Sequence, residues 1–177
     1  GGLDAYIGKQ PTWRTAQGRA VSGRRVSVVF VFSGQGPQWW GMGRELLAAS
    51  PVFRQRIEQC AAALPLDAGW SLMEALTATE SESRLGDTEV AQPAIFALQL
   101  ALAAVWESLG VVPAAVVGHS VGEIAAAVVA GALSLEEGMR VAYNRGRFMQ
   151  EATGGGRMTA VEIGRDEAAR VLKPFAG

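Results

Sequence analysis

The chain is short of the side chains that most often cross-link, bind metal or move protons. Cys60 is its only cysteine and His119 its only histidine. One thiol closes no internal disulfide and builds no cysteine-based metal site, so no bound metal is expected and a reducing compartment fits. An excess of charge is missing too. Sixteen Lys and Arg stand against 17 Asp and Glu, giving a formal charge of −1, and the charges are scattered singly. Nucleic acid and anionic membranes need a concentrated basic face, so neither is expected as a main partner. No apolar stretch is both long enough and free enough of punctuation to suggest a bilayer span. The N-terminal GGLDAYIGKQPTWR lacks the apolar core of a signal peptide. These absences point to a cytoplasmic protein acting on a small molecule or another protein.

What is present reads as one domain of alternating strands and helices. At 177 residues the chain can bury one sizeable core. Residues 1–25 are polar, contain Pro11 and repeated glycines, and suit a linker. The apolar, β-branched run 26–32 predicts a buried strand ending at Gly34. Ser50 before Pro51 predicts a helix start, with the helix reaching about Leu64, and Ser71 can cap a shorter one. Residues 80–88 read as a loop. Pro93 is expected to open a long helix ending at Leu109, with Gly110 as its left-handed stop and Gln92 just ahead of it. Residues 114–117 form a second short apolar run, followed by a helix to about Ala130. Ser134 and Glu137 have the spacing of a capping box, so another helix runs from there to about Ala152. After the glycines at 154–156, residues 158–163 predict a strand and about Asp166 a final helix. The pattern is that of an α/β fold with a mostly parallel sheet.

Between the second strand and the helix after it stands Gly118-His119-Ser120-Val121-Gly122. A serine hydroxyl becomes a useful nucleophile when it is exposed, its proton has an acceptor and the developing oxyanion meets donors. The flanking glycines permit a sharp strand-to-helix turn, with Ser120 at the mouth of a helix whose first amides are free. The Val121 amide is then a natural oxyanion donor. His119 adjoins Ser120, so its side chain should diverge from the hydroxyl and is a poor general base. A carboxylate or lysine serves instead, or a histidine lies in sequence beyond Gly177. Gln35, between Gly34 and Gly36 after the first strand, sits where open α/β sheets bind ligands. The glycines at 34, 36 and 41 do not match a dinucleotide fingerprint. On the helix after Ser134, Arg145 has apolar neighbours at Val141, Ala142, Phe148 and Met149. Arg147 has Tyr143, Asn144, Gln150 and Glu151, and reads as solvated. A guanidinium on an apolar face needs an anion, either a ligand carboxylate or an Asp or Glu of the same domain. Cys60 and Trp39, Trp40, Trp70 and Trp106 read as packing residues.

Four segments in series, VFVFSGQGPQWWGMG, TEVAQPAIFALQ, GHSVGEIAAAVVAGALSLEE and NRGRFMQ, closely resemble the acyltransferase domain of type I polyketide synthases. That family is related to the malonyl-CoA:acyl carrier protein transacylases. The likeness covers about residues 26–163. It implies an α/β-hydrolase-like acyltransferase core over 26–157 and the start of a ferredoxin-like small subdomain over 158–177. It makes Ser120 the acylated nucleophile, Gln35 a helper at the oxyanion hole beside Val121, and Arg145 the partner of a malonyl-type carboxylate. Gln92 and His119 fall near the substrate pocket.

The implied reaction moves an acyl group from acyl-CoA to Ser120 and on to the phosphopantetheine of an acyl carrier protein. No bound cofactor is needed, and a ketosynthase domain is the expected neighbour in the polypeptide. In the family the catalytic histidine follows the small subdomain, so the chain as given is expected to lack its general base and to be inactive alone. Val128 departs from a histidine or tyrosine common in the family, a packing change. Val121, where methylmalonyl-selecting relatives often carry glutamine, leans the extender unit toward malonyl. Two other readings remain: a serine esterase of the α/β-hydrolase type, which has no use for Arg145, and a degenerate acyltransferase used as a docking platform.

Overall fold

The fold was analysed in a computed structural model, which describes residues 27–155 and 161–175. The linker expected over 1–25 lies outside the described residues. The first strand, β1 (Val29–Phe32), is a run of valine and phenylalanine suited to a pleated, half-buried surface. It pairs in parallel with β2 (Ala115–Gly118), in the register Val29 with Ala115 through Phe32 with Gly118. The crossover between them carries four helices, α1 (Arg44–Ala49), α2 (Pro51–Ala62), α3 (Leu72–Thr77) and α4 (Thr88–Ser108). After β2 come α5 (Gly122–Val129), α6 (Leu135–Glu151) and α7 (Arg165–Leu172). The α/β architecture therefore stands, with a small parallel sheet among many helices.

Local capping chemistry sets most helix starts. Ser50 Oγ accepts from the Phe53 amide at 3.3 Å with Pro51 in the first turn, and Ser71 Oγ accepts from the Glu74 amide at 3.4 Å. Ser134 and Glu137 form a reciprocal box: the Glu137 amide donates to Ser134 Oγ at 3.1 Å, and the Ser134 amide to Glu137 Oε2 at 2.8 Å. Each satisfies amides that the first helical turn leaves without partners. Gly110, at φ 82°, follows the end of α4 in the left-handed conformation expected of it.

Four expectations are corrected. First, α4 begins at Thr88, not Pro93, so Gln92 lies inside the helix. Proline removes only its own bond to the carbonyl four residues back, and the helical residues before it supply a first turn. At 21 residues α4 is long and apolar enough to cross a membrane by composition, yet 67% of its most apolar stretch is buried, as in a core helix. Second, β1 is not buried on both faces. Phe32 is buried, whereas Val29 and Val31 are 48% and 74% exposed, because the described helices cover one side of the sheet. Third, Trp39 and Trp106 are more than half exposed and flank a groove of about 500 Å³ between β1 and α4, whereas Trp70 packs on the core. Fourth, the strand expected over 158–163 is not formed in its described part, 161–163, where Val161 and Ile163 are exposed; 158–160 lie outside the described residues.

The core gathers Phe53 and Ile57 from α2, Leu72 and Leu76 from α3, Phe96 from α4 and Met139 from α6. Cys60 belongs to it, and burial pushes its thiol up to about 12, against a small opposing pull from Arg56. Helix α6 crosses α4 closely at Gly146, where a Cβ would stand 2.9 Å from the Thr88 carbonyl oxygen and 3.2 Å from Glu89 Cα. Backbone cannot yield as a side-chain tip can, so Gly146→Ala must push α6 from α4. We expect a loss of about 1–3 kcal/mol, read from the guanidinium denaturation midpoint. Gly86→Ala, with open space around it, should stay within about 0.5 kcal/mol of the parent.

Candidate active site

The carboxyl ends of both strands meet at one place. Beyond β2 the His119 amide donates to the Phe32 carbonyl at 3.0 Å, carrying the pairing one residue past the strand. The chain then turns at Ser120, whose φ of 58° is the one positive value at a non-glycine among the described residues. Such a conformation costs on the order of 1–3 kcal/mol and persists only where neighbours over-determine it. Here the Gly122 amide donates to the His119 carbonyl at 3.0 Å, the Glu123 amide to the Ser120 carbonyl at 3.1 Å and the Ser120 amide to Glu123 Oε1 at 3.2 Å. A Cβ at Gly122 would fall on the Phe32 and Ser33 carbonyl oxygens, so glycine alone lets α5 start against the end of β1. The result is a strand–turn–helix elbow with Ser120 half-buried at its tip. The Val121 amide beside it donates to no acceptor among the described residues.

Helix α6 brings Arg145 over this turn. Its Nη2 donates to Ser120 Oγ at 3.0 Å and its Nη1 to Gln92 Oε1 at 2.7 Å. Gln92 is fully buried on α4, and its Nε2 donates to Gln35 Oε1 at 3.1 Å and to Met149 Sδ at 3.0 Å. Gln35 Nε2 reaches Thr88 Oγ1 at 3.3 Å, and the Thr88 amide donates to Gln150 Oε1 at 2.7 Å. Four segments distant in sequence thus converge, and five of the residues singled out from sequence, Gln35, Gln92, Ser120, Val121 and Arg145, come together.

His119 stands apart from this line. It is exposed, with Nδ1 beside Gly34, and the recorded partner of Ser120 Oγ is Arg145.

The two arginines of α6 differ from their sequence reading. Arg147 is half-buried, not solvated: its guanidinium lies 5.0 Å from the Phe148 ring centroid and 5.9 Å from that of Tyr143. A planar cation can exchange water for an aromatic face, which residue polarity along the helix does not reveal. Around Arg145, Val141, Phe148 and Met149 are exposed, so its surroundings are less apolar than expected. It is held instead by neutral polar side chains, and it forms no ion pair among the described residues. Among the described residues no Asp or Glu of the domain takes the place that the alternative reading gave it. Sequence reasoning missed Thr88, Met149 and Gln150. All three lie in the segments TEVAQPAIFALQ and NRGRFMQ, but nothing in those segments gives them a role, because their contacts arise only when α4 and α6 cross.

Residues 29–174 match the model of the acyl transferase domain. The chain belongs to that family. Mycoketide-CoA synthase of Mycobacterium tuberculosis is 43% identical over 174 residues, which is 98% of this chain and 4% of that protein. The acyltransferase domain from module 8 of the salinomycin polyketide synthase superposes with a TM-score of 0.82 at 43% identity, over 98% of this chain and 41% of the other. A malonyl-transacylase solved in complex with its type II PKS acyl-carrier protein does so with a TM-score of 0.69 at 30% identity, over 85% of this chain and 48% of the other. The chain thus spans a few percent of its curated relative and less than half of these solved acyltransferases.

Within this acyltransferase fold, Gln92 has no access to water that could replace a lost partner. Gln92→Leu would take an acceptor from the Arg145 guanidinium and a donor from Gln35 Oε1. We expect about 1–3 kcal/mol of destabilisation by chemical denaturation, well above the cost of removing an exposed glutamine.

Proposed function

We propose that this chain carries the nucleophile of an acyltransferase that loads an extender unit, malonyl in preference to methylmalonyl, from acyl-CoA onto an acyl carrier protein in polyketide biosynthesis. The observation that carries the reading is the guanidinium of Arg145, 3.0 Å from Ser120 Oγ and without a carboxylate partner among the described residues. A donor fork so placed matches a carboxylate on the acyl group bound to that oxygen, by two parallel charge-assisted hydrogen bonds.

In the first step Ser120 Oγ forms a bond to the thioester carbonyl carbon, its proton passes to a general base, and the C–S bond breaks to release CoA, which leaves as the thiol once protonated. In the second, the phosphopantetheine thiol of the carrier protein gives its proton to the base and attacks the acyl-serine carbonyl carbon, the ester C–O bond breaks, and Ser120 Oγ regains a proton as the new thioester leaves. The oxyanion of each tetrahedral intermediate falls to the Val121 amide and Gln35. His119 borders the pocket. The neighbouring Val121 at the elbow supports malonyl. We assign the general base to a histidine other than His119. We assign 26–157 to the large subdomain, 158–177 to the opening of a ferredoxin-like small one and 1–25 to a linker from a ketosynthase neighbour.

Incubating the full-length protein with malonyl-CoA should add one malonyl group, located on Ser120 by peptide mass analysis and absent in Ser120→Ala. Arg145→Ala should raise KM for malonyl-CoA roughly thirtyfold or more while leaving acetyl-CoA little affected, the loss expected for a charge-assisted pair. An undiminished malonyl adduct in Arg145→Ala would sink the carboxylate reading.

A further inference from the structure

Every group in the line from Ser120 to Thr88 has a defined polarity, and the polarity starts at Arg145. A guanidinium only donates. Gln92 must therefore present its oxygen, Oε1, to Arg145, as it does at 2.7 Å. A primary amide that turns its oxygen one way turns its nitrogen the other, so Gln92 Nε2 faces Gln35 and can meet only an acceptor there, Oε1 at 3.1 Å. Gln35 is thereby obliged to turn its own Nε2 outward. The group waiting for it is the Thr88 hydroxyl, at 3.3 Å, which can accept. Reversing either amide would oppose donor to donor. Because Gln92 is fully buried, water cannot relieve the mismatch.

The far end of the line is fixed as firmly as the near end. Thr88 is the first residue of α4, where backbone amides have no partner within the helix. Its amide donates to Gln150 Oε1 at 2.7 Å. Gln150 and Arg145 both stand on α6, so one helix holds both ends of the line, and Gly146 between them is where α6 touches Thr88.

We propose that Thr88 is a positioning residue of the acyl-transfer site, its hydroxyl anchoring the outward Nε2 of Gln35 in the amide orientation that Arg145 and Gln92 already dictate. This rests on the acyltransferase reading above and adds a residue to which the sequence reading gave no role. Thr88 touches neither Ser120 nor the acyl group in this arrangement; it acts through Gln35. Removing its hydroxyl frees the outer end of the Gln35 amide and loosens the oxyanion side of the site, while the Arg145–Gln92 contact that serves the carboxylate stays intact. The effect belongs in kcat and not in KM.

The test is steady-state transfer by the full-length protein, with malonyl-CoA and with acetyl-CoA, in Thr88→Val, Thr88→Ser, Gln35→Ala and the Thr88→Val/Gln35→Ala double variant. Thr88→Val, equal in shape but without the hydroxyl, should lower kcat about tenfold with both substrates, a fraction of what losing an entire oxyanion donor costs. KM should stay within about twofold, Thr88→Ser should restore the rate, and the double variant should be no slower than Gln35→Ala, since residues that act as a unit are not additive. Full additivity in the double variant, or a Thr88→Val enzyme with the parent's kcat per folded molecule and only a lower melting temperature, would overturn the proposal. A parent protein that acquires no acyl group on Ser120 would instead overturn the acyltransferase reading itself. If Thr88→Val fails to fold, Gln150→Leu removes the support of Thr88 from the other side and should lower kcat with the same lack of additivity; full additivity there overturns the proposal equally.

Discussion

Among the described residues Arg145 is the one cation that reaches Ser120, and the organisation of the site follows from the fact that a guanidinium can only give hydrogen bonds. It sits half-buried between α4 and the elbow, contacting Ser120 Oγ and Gln92 Oε1. A fixed negative partner would cancel its charge and leave nothing for a ligand. Neutral acceptors position it and leave the charge available. That choice passes outward through two amides to a hydroxyl, giving the inner end of α4, the loop after β1 and the face of α6 one shared orientation.

The backbone contributes a second constraint of a different kind. Ser120 holds a left-handed conformation that a side chain resists, and the turn persists because β1, β2 and α5 crowd it from three sides. Gly122 admits the close approach to Phe32 and Ser33. The strain and the polar line converge on the same oxygen: the first exposes it and the second places a cation beside it. For the proposed chemistry both are needed, since an exposed hydroxyl without nearby charge would not favour a malonyl over an acetyl group, and a charge without the elbow would face a buried alcohol.

How much of this was legible in the sequence depended on how local the physics is. The caps at Ser50, Ser71 and Ser134 act within a few residues and were readable, as were the elbow and the left-handed stop at Gly110. The start of α4 was not, because proline is a strong local signal that here sits within a helix begun earlier by Thr88. Arg145 was singled out through four apolar neighbours of which only Ala142 proves buried; what distinguishes it is Gln92, 53 residues away in sequence. Arg147 was misread because stacking on Tyr143 and Phe148 hides a cation without changing residue polarity. Gln92 by itself read as a residue ahead of a helix and was placed near the substrate pocket by the resemblance alone, and Thr88 was given no role, since their contacts exist only once α4 lies across α6. The two-sided burial expected of β1 also depended on neighbours: the described residues cover one face.

The most direct measurement of the central claim is a crystal structure of the full-length protein with Ser120 carrying a malonyl group. The account predicts the malonyl carboxylate on the Arg145 guanidinium by two hydrogen bonds, with Arg145 still donating to Gln92 and the Gln92–Gln35–Thr88 polarity unchanged. A carboxylate lying in solvent, or an Arg145 that has left Gln92 to pair with an acidic side chain, would contradict it.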